Sequence, residues 1–225
     1  MGEAVGQILA LAVVVAISPI PIIGVVLMLS TPHARSNGPA FLLGWIAGLS
    51  TAGAAILLLS SGADASSGGS PADWVNGLKL VLGVLAVAMG LKQWRERPRA
   101  GEEPQMPGWM DSVDHFTPAK AAGFAVVLSA ANPKNLLLVV AAAAAIAQTG
   151  ASTGSEIAAL AIFVAVATLG PGIPVAMYFA LGERSKAMLD NLRGWMATHS
   201  NAIMTVLLIV IGAKLIGDAI SGYAA

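Results

Sequence analysis

The 225-residue chain contains no cysteine. Disulfide bonds, thiolate metal sites and thiol redox chemistry are therefore excluded. Charged residues are also scarce, at 11% of the chain, whereas 56% of the residues are hydrophobic and the mean hydropathy is +0.78. Because a soluble domain carries about 25% charged residues, this composition indicates an integral membrane protein. The formal net charge is zero, which gives no reason to expect a nucleic-acid partner.

Two further absences concern the apolar segments. No basic residue precedes the first apolar run, which continues to about Leu29 and is too long for a signal-peptide core. We expect it to be retained as a membrane helix. Aspartate and glutamate are missing from the middle of the apolar runs, which argues against a dedicated cation or metal exporter and against a membrane enzyme with placed acid–base residues. We therefore predict no enzymatic activity, no cofactor and no bound metal.

Long apolar stretches predict six transmembrane helices, each long enough for one crossing. They cover residues 4–29, 39–60, 74–94, 119–148, 155–181 and 200–220. Lysine and arginine concentrate in the connections after spans one, three and five, which places these connections in the cytoplasm and both termini outside the plasma membrane.

Because each half has an odd number of helices, three, the second half has the opposite orientation in the membrane to the first. The predicted fold is therefore an all-α integral membrane protein of six transmembrane helices in two inverted three-helix repeats. Residues 1–94 form the first repeat, residues 95–118 a cytoplasmic connecting loop with an interfacial helix, and residues 119–225 the second repeat.

Lys134 lies in the middle of an apolar run from about Ala121 to Ala147. Each end of the run is about 20 Å away at the rise of a helix, too far for the side chain to reach the headgroups. The ammonium must therefore face protein, water or ligand. Three roles remain open: a counter-charge for an anionic substrate, a proton carrier, or a structural latch that bonds carbonyls freed by nearby prolines.

Prolines interrupt the apolar runs at similar depth. A proline inside a helix leaves the carbonyl one turn earlier unpaired, which at membrane depth is tolerated only inside protein or beside a wet cavity. Residues 17–21 align with residues 131–135 at equivalent positions of the two halves, as do residues 90–92 with 212–214, and such paired breaks predict a central substrate site. The residues expected to bind substrate or to gate are Ser18, Pro19, Pro21, Ser50, Thr51, Asn132, Pro133, Lys134, Asn135, Thr168 and Pro171. Kinks whose backbone is satisfied by neighbouring helices are the alternative.

Other polar residues have simpler interpretations. Lys79 and Lys214 lie toward helix ends, where a lysine can extend to the headgroups. Gly44 and Gly48 form a small-xxx-small pattern that favours close helix packing.

The segment from Met106 to Phe116 has its apolar residues on one side, which predicts a short helix on the cytoplasmic membrane surface. Asp111, Asp114 and His115 within it could form a metal or acid–base cluster, but a solvated face is the preferred interpretation.

Together these residues resemble the lysine-exporter (LysE) superfamily. Within it, three stretches are similar to the branch of peptidoglycolipid- and sulfolipid-addressing proteins (the GAP branch). They are Ala-Ile-Ser-Pro-Ile-Pro at 16–21, the segment from Pro-Gly-Trp-Met to Thr-Pro-Ala-Lys at 107–120, and Leu-Ser-Ala-Ala-Asn-Pro-Lys-Asn-Leu at 128–136. The resemblance implies export or surface delivery of an envelope lipid or glycolipid, a homodimer, and the proton motive force as energy source.

The leading hypothesis is an exporter or flippase for an amphipathic, anionic envelope lipid, with Lys134 as the counter-charge of the head group. A lipid route predicts an opening sideways between helices with an apolar floor. A proton-coupled exporter of small, amino-acid-type solutes is the alternative, and it predicts a closed polar cavity. A non-transporting accessory subunit of an envelope-lipid export system is a third hypothesis.

Overall fold

The computed structural model describes residues 2–62, 66–67, 70–71, 73–97 and 108–224, and nearly all of these are helical. The α-helices are α1 (Gly2–Ala16), α2 (Pro19–Leu29), α3 (Ala34–Gly62), α4 (Asp73–Arg95), α5 (Pro118–Val126), α6 (Pro133–Ala147), α7 (Thr153–Leu181) and α8 (Ser185–Ala224). Gly108–His115 and Gly182–Arg184 are 3-10 helices, and Val127–Ala131 is a π-helix. A minimal antiparallel hairpin pairs β1 (Ser66–Ser67) with β2 (Ser70–Pro71). Apart from this hairpin, the expected all-α architecture is confirmed for the described part of the chain.

Three helical stretches are long and apolar enough to cross a membrane. They are Ala34–Ser60, Trp74–Arg95 and Thr153–Ala224, and counting each bent helix pair as one span raises the number to five. The chain is therefore a helical membrane protein. The sixth span and the inverted repeat stay predictions.

The first and fourth predicted spans are each broken in the middle, as their prolines predicted. The bend between the α1 and α2 segments is 44°, and that between the α5–π-helix segment and α6 is 61°. Pro19 and Pro133 occupy the start of α2 and α6, where a missing N–H costs nothing because the first turn has no internal partner for it.

Pro171, the predicted site residue of span five, lies inside an unbroken helix. α7 continues through Pro171 and Pro174 to Leu181. Proline kinks are tolerated in membrane helices where neighbouring elements satisfy the freed backbone, and Pro171 is buried inside the molecule.

Two helix boundaries also differ from those predicted. α3 begins at Ala34, so Pro39 lies inside the helix instead of at its first position. α8 begins at Ser185 and not near residue 200, so the connection expected between spans five and six is helical. Leu189 and Met196 are buried on this extension, which gives it an apolar side against the rest of the protein.

Glycine contacts show the direction and the close approach of the main helix pairs. A methyl group at Gly83 would lie 2.9 Å from the carbonyl oxygen of Gly212, and one at Gly90 would lie 3.2 Å from that of Thr205. As the α4 number rises the α8 number falls, so α4 and α8 are antiparallel. Contacts of Gly38 with Val175 and of Gly53 with Leu160 give α3 and α7 the same antiparallel relation.

The 3-10 helix at 108–115 contacts protein with its apolar side. Val113 is buried, and the Trp109 ring lies 4.7 Å from the Phe124 ring of α5. The fully buried Asn37 of α3 donates to the carbonyl of Phe116 at 2.8 Å, which ties this segment to α3. The predicted location of the segment at a membrane surface stays a prediction, and the side chain of Asp111 lies outside the described residues.

Candidate functional site

The first break places a buried serine between α1 and α2. Ser18 is extended, with φ −61° and ψ 116°, and is the N-cap residue of α2. Its hydroxyl makes no cap hydrogen bond and is 1% exposed. Capping would normally use this oxygen to accept from the first helical turn, so here it remains available for another donor.

At the second break, two asparagine side chains hydrogen-bond to the backbone of the break itself. Asn132 is extended and its side chain accepts from the backbone N–H of Lys134 at 3.1 Å, which caps α6. Asn135 reaches back across the break and donates to the carbonyl of Leu128 at 2.8 Å. Leu128 lies in the π-helix, an irregularity that is often found at functional sites.

Lys134 joins the two breaks. Its side chain is 8% exposed, and Nζ donates to the hydroxyl of Ser18 across 116 positions in sequence. The sulfur of Met204 in α8 accepts from the same Nζ at 3.2 Å. Among the described residues the ion pairs involve other lysines, so the ammonium of Lys134 has polar neighbours but no carboxylate partner.

Two neighbouring helices come unusually close to the breaks because glycine faces them. A methyl group at Gly48 of α3 would overlap the hydroxyl oxygen of Ser129 in the π-helix. One at Gly170 of α7 would overlap the carbonyl oxygen of Ala16 at the end of α1. α3 therefore packs on the second break and α7 on the first.

The remaining predicted residues serve mainly their own helices. Thr51 donates to Ala47 at 2.8 Å, and Thr168 donates to Val164 at 2.7 Å. Both are bonds to carbonyls of the same helix. Ser50 is half-buried in α3, and Pro21 is buried in α2. The contacts of Lys134 thus bring together the serine of the first break and the lysine of the second, with Met204 as a partner that the sequence did not predict.

The surface beside the two breaks is apolar. Ile17 is 41% exposed at the first break, while Val127 and Leu136 are 55% and 38% exposed around the second. Ser18 and Asn135, by contrast, are almost completely buried. Each break therefore has a polar inner side and an apolar outer side.

The prediction that the Lys79 side chain extends to the lipid headgroups is wrong. Lys79 is 5% exposed and its Nζ donates to the side-chain oxygen of Gln148 at 2.7 Å. Lys214 is partly exposed and pairs with Asp218 at 2.6 Å. The described residues thus contain a second buried ammonium. No group of three or more His, Asp or Glu side chains in that part of the chain is placed to hold a metal ion.

These features define a class: a helical membrane protein with a buried ammonium where two broken helices meet and no carboxylate paired with it in the described part of the chain. The family described as Sap, sulfolipid-1-addressing protein, matches residues 8–221. The chain belongs to this family, which confirms the resemblance to the sulfolipid-addressing branch. Searches of curated proteins and of solved structures gave no match.

Proposed function

We propose that this protein moves an amphipathic, anionic envelope lipid or glycolipid outward across the plasma membrane. The family description names sulfolipid-1 addressing, and a sulfolipid head group carries negative charge. In this proposal the ammonium of Lys134 holds the head group, and the two breaks gate its passage.

The observation that carries the proposal is the unbalanced positive charge at the breaks. Lys134 has no carboxylate partner among the described residues, and its side chain is only 8% exposed. An anion is the ligand that complements this ammonium, and in a low-dielectric site the attraction is weakly screened.

The apolar outer side of the breaks favours a lipid over a soluble substrate. A lipid must keep its acyl chains in the bilayer while its head group passes through protein. The breaks have a surface divided in this way. Their exposed side chains are apolar, at Ile17, Val127 and Leu136, and the polar side chains of Ser18 and Lys134 are buried beside them. Met204 contacts the ammonium from α8, so movement of α8 is the step that we expect to admit the head group.

Six crossings in two inverted repeats are part of the proposal. The stretch Thr153–Ala224 covers 72 residues, about 108 Å at helical rise, which exceeds one bilayer core of about 30 Å. The antiparallel pairs α3 with α7 and α4 with α8 are those that inversion of the halves requires.

The basic connections then lie in the cytoplasm and both termini outside. Single-cysteine variants test this cleanly because the chain has none of its own. We expect Thr153→Cys to react with an impermeant thiol reagent in intact cells and Ser112→Cys to react only after lysis. The opposite pattern would reverse the proposed orientation.

The experiment for function compares Lys134→Gln and Lys134→Arg in proteoliposomes. The readout is movement of a fluorescent sulfated glycolipid and of its uncharged parent, scored by dithionite quenching, with the melting temperature measured on the same preparations. We expect the wild type to prefer the sulfated lipid, Gln to lose that movement while staying folded, and Arg to keep part of it.

Lys92→Gln is the matched control, because it makes the same substitution at an exposed lysine, and it should leave movement unchanged. Full movement per folded molecule in Lys134→Gln would contradict the counter-charge role. Equal movement of both lipids would contradict an anionic substrate, and movement of neither would favour the small-solute exporter.

A further inference from the structure

The two broken spans are closed differently on the two sides of the breaks. On one side, α1 packs directly on α6, and Leu11 of α1 lines a small cleft with Ala141 and Ala145 of α6. On the other side, the contact of α2 with α5 includes a ring from outside both helices. This ring belongs to Trp109 in the 3-10 helix at 108–115. The 3-10 helix therefore completes the packing on the side where α5 begins.

Trp109 fills a place that α2 leaves open. Gly24 of α2 has no side chain, and a methyl group there would lie 3.4 Å from the Trp109 ring and 3.5 Å from the Phe124 ring of α5. The two rings are 4.7 Å apart at an interplanar angle of 51°, a tilted arrangement of the kind that aromatic pairs favour. Trp109 thus contacts both α2 and α5, about 9 Å along α2 from Ser18 at helical rise.

The segment 108–116 (the strap) is held by aromatic contacts and by hydrogen bonding to α3. The Phe116 ring lies 5.6 Å from the Phe124 ring in an edge-on arrangement, and Val113 is 1% exposed. Asn37 of α3 donates to the carbonyl of Phe116 at 2.8 Å. These contacts fix both ends of the strap across α2, α3 and α5.

The strap can be released without exposing a buried charge. The ion pairs of the described residues lie at 92–96 and 183–218, outside the strap. Its side chains at Ser112, Asp114 and His115 are already exposed. Short segments with few buried contacts open locally at low free energy, while the helices that they cover stay folded. The strap is therefore the part of this side that can move first.

We propose that the strap is a gate on the cytoplasmic side of the Lys134 site and that Trp109 is its gating side chain. This inference rests on the proposed function, because a lipid exported outward enters from the cytoplasmic side, where α5 begins in the proposed orientation. With the strap in place, Trp109 holds α2 and α5 together. Its release lets α2 separate from α5, and the head group then reaches the ammonium once Met204 has moved.

Protection of a thiol at position 125 tests the gate without any lipid substrate. Ala125 follows Phe124 in α5 and is completely buried. Because the chain has no cysteine, Ala125→Cys reports opening by its rate of reaction with a water-soluble maleimide in nanodiscs. Adding Trp109→Ala should raise this rate about tenfold or more, since the ring contacts with both helices are lost. An unchanged rate in a folded preparation would overturn the proposal.

Three variants, each with its melting temperature measured, control this test. Trp109→Phe keeps a ring and should keep most of the protection. Trp195→Ala makes the same substitution at a ring that is 55% exposed on α8, and it should leave the rate unchanged. Asn37→Ala frees the strap from α3 with Trp109 intact, so it should raise the rate even if Trp109→Ala fails to fold. Equal acceleration by Trp195→Ala, or none by Asn37→Ala, would overturn the gate.

A cleavable cross-link connects the gate to lipid movement. In the variant with Gly24→Cys and Trp109→Cys, a short bifunctional maleimide with an internal disulfide joins α2 to the strap. We expect movement of the fluorescent sulfated glycolipid to stop after linkage and to return after reduction. Movement that persists after linkage, or an equal loss in the treated single-cysteine variants, would overturn the gate. Gated thiol reaction without movement of either lipid would contradict the proposed function alone.

Discussion

The two proline breaks look alike in sequence but differ in how their backbone is held. At the second break, Asn132 caps α6 and Asn135 bonds back to the π-helix. At the first break, the Ser18 hydroxyl does not cap α2 and instead accepts from Lys134. One break is held by its own side chains, and the other depends on a residue 116 positions away.

This difference indicates where movement begins. If an anion draws the ammonium of Lys134 away, the second break keeps both of its side-chain bonds. Ser18 loses its partner, and its hydroxyl then becomes free to cap α2. The first break is therefore the hinge that we expect to respond to ligand, and the second is the fixed support that carries the charge.

Ser18→Ala should have the largest effect, because it removes a hydrogen bond to a charged group. The expected loss in free energy of unfolding is about 1.5–3 kcal/mol, measured by unfolding in nanodiscs, together with reduced lipid movement. Ser129→Ala is the matched control. Its hydroxyl bonds only the carbonyl of Val126 in its own segment at 3.1 Å, and it should cost less. Equal losses in the two variants would contradict the special role of Ser18.

Asn135→Leu should destabilise the second break by about 1–3 kcal/mol, because the buried carbonyl of Leu128 loses its donor. Hydrogen exchange should rise in the π-helix at 127–131 and not at the first break. Asn201→Leu removes a similar but longer, half-buried bond to the carbonyl of Gln93, at 3.3 Å, and should cost less. Faster exchange at the first break alone would show that the two breaks are not held independently.

Asn132→Ala should have the smallest effect, a loss of about 1 kcal/mol in the free energy of unfolding because the N-cap is lost. Asn132→Gly should lose only about a few tenths of a kcal/mol. Thermal unfolding of both variants separates the cap from any wider role of this residue. A loss in the Gly variant as large as in the Ala variant would mean that Asn132 does more than cap α6.

Sequence predicted the features that depend on local chemistry. The Ser-Pro and Asn-Pro pairs located both breaks. Proline has no backbone N–H to donate inside a helix, and it disfavours helical dihedral angles at the residue before it. The position of Lys134 in a long apolar run predicted that its ammonium would face protein, water or ligand, and its side chain is only 8% exposed. The family also followed from these motifs.

Sequence could not predict features that arise from packing between distant segments. Met204 contacts Lys134 across 70 positions. Lys79 is near a helix end in sequence, yet α4 packs on α8 so closely that the side chain is covered.

The α4–α8 pair limits how Met204 can leave Lys134. A methyl group at Gly212 would lie 2.7 Å from the carbonyl oxygen of Gly83, and one at Gly90 would lie 3.2 Å from that of Thr205, so the two backbones touch at both points. Met204 is the neighbour of Thr205 and lies beside one of these contacts. Moving Met204 off Lys134 therefore requires α4 and α8 to shift as one unit, or the flexible Met204 side chain to change rotamer.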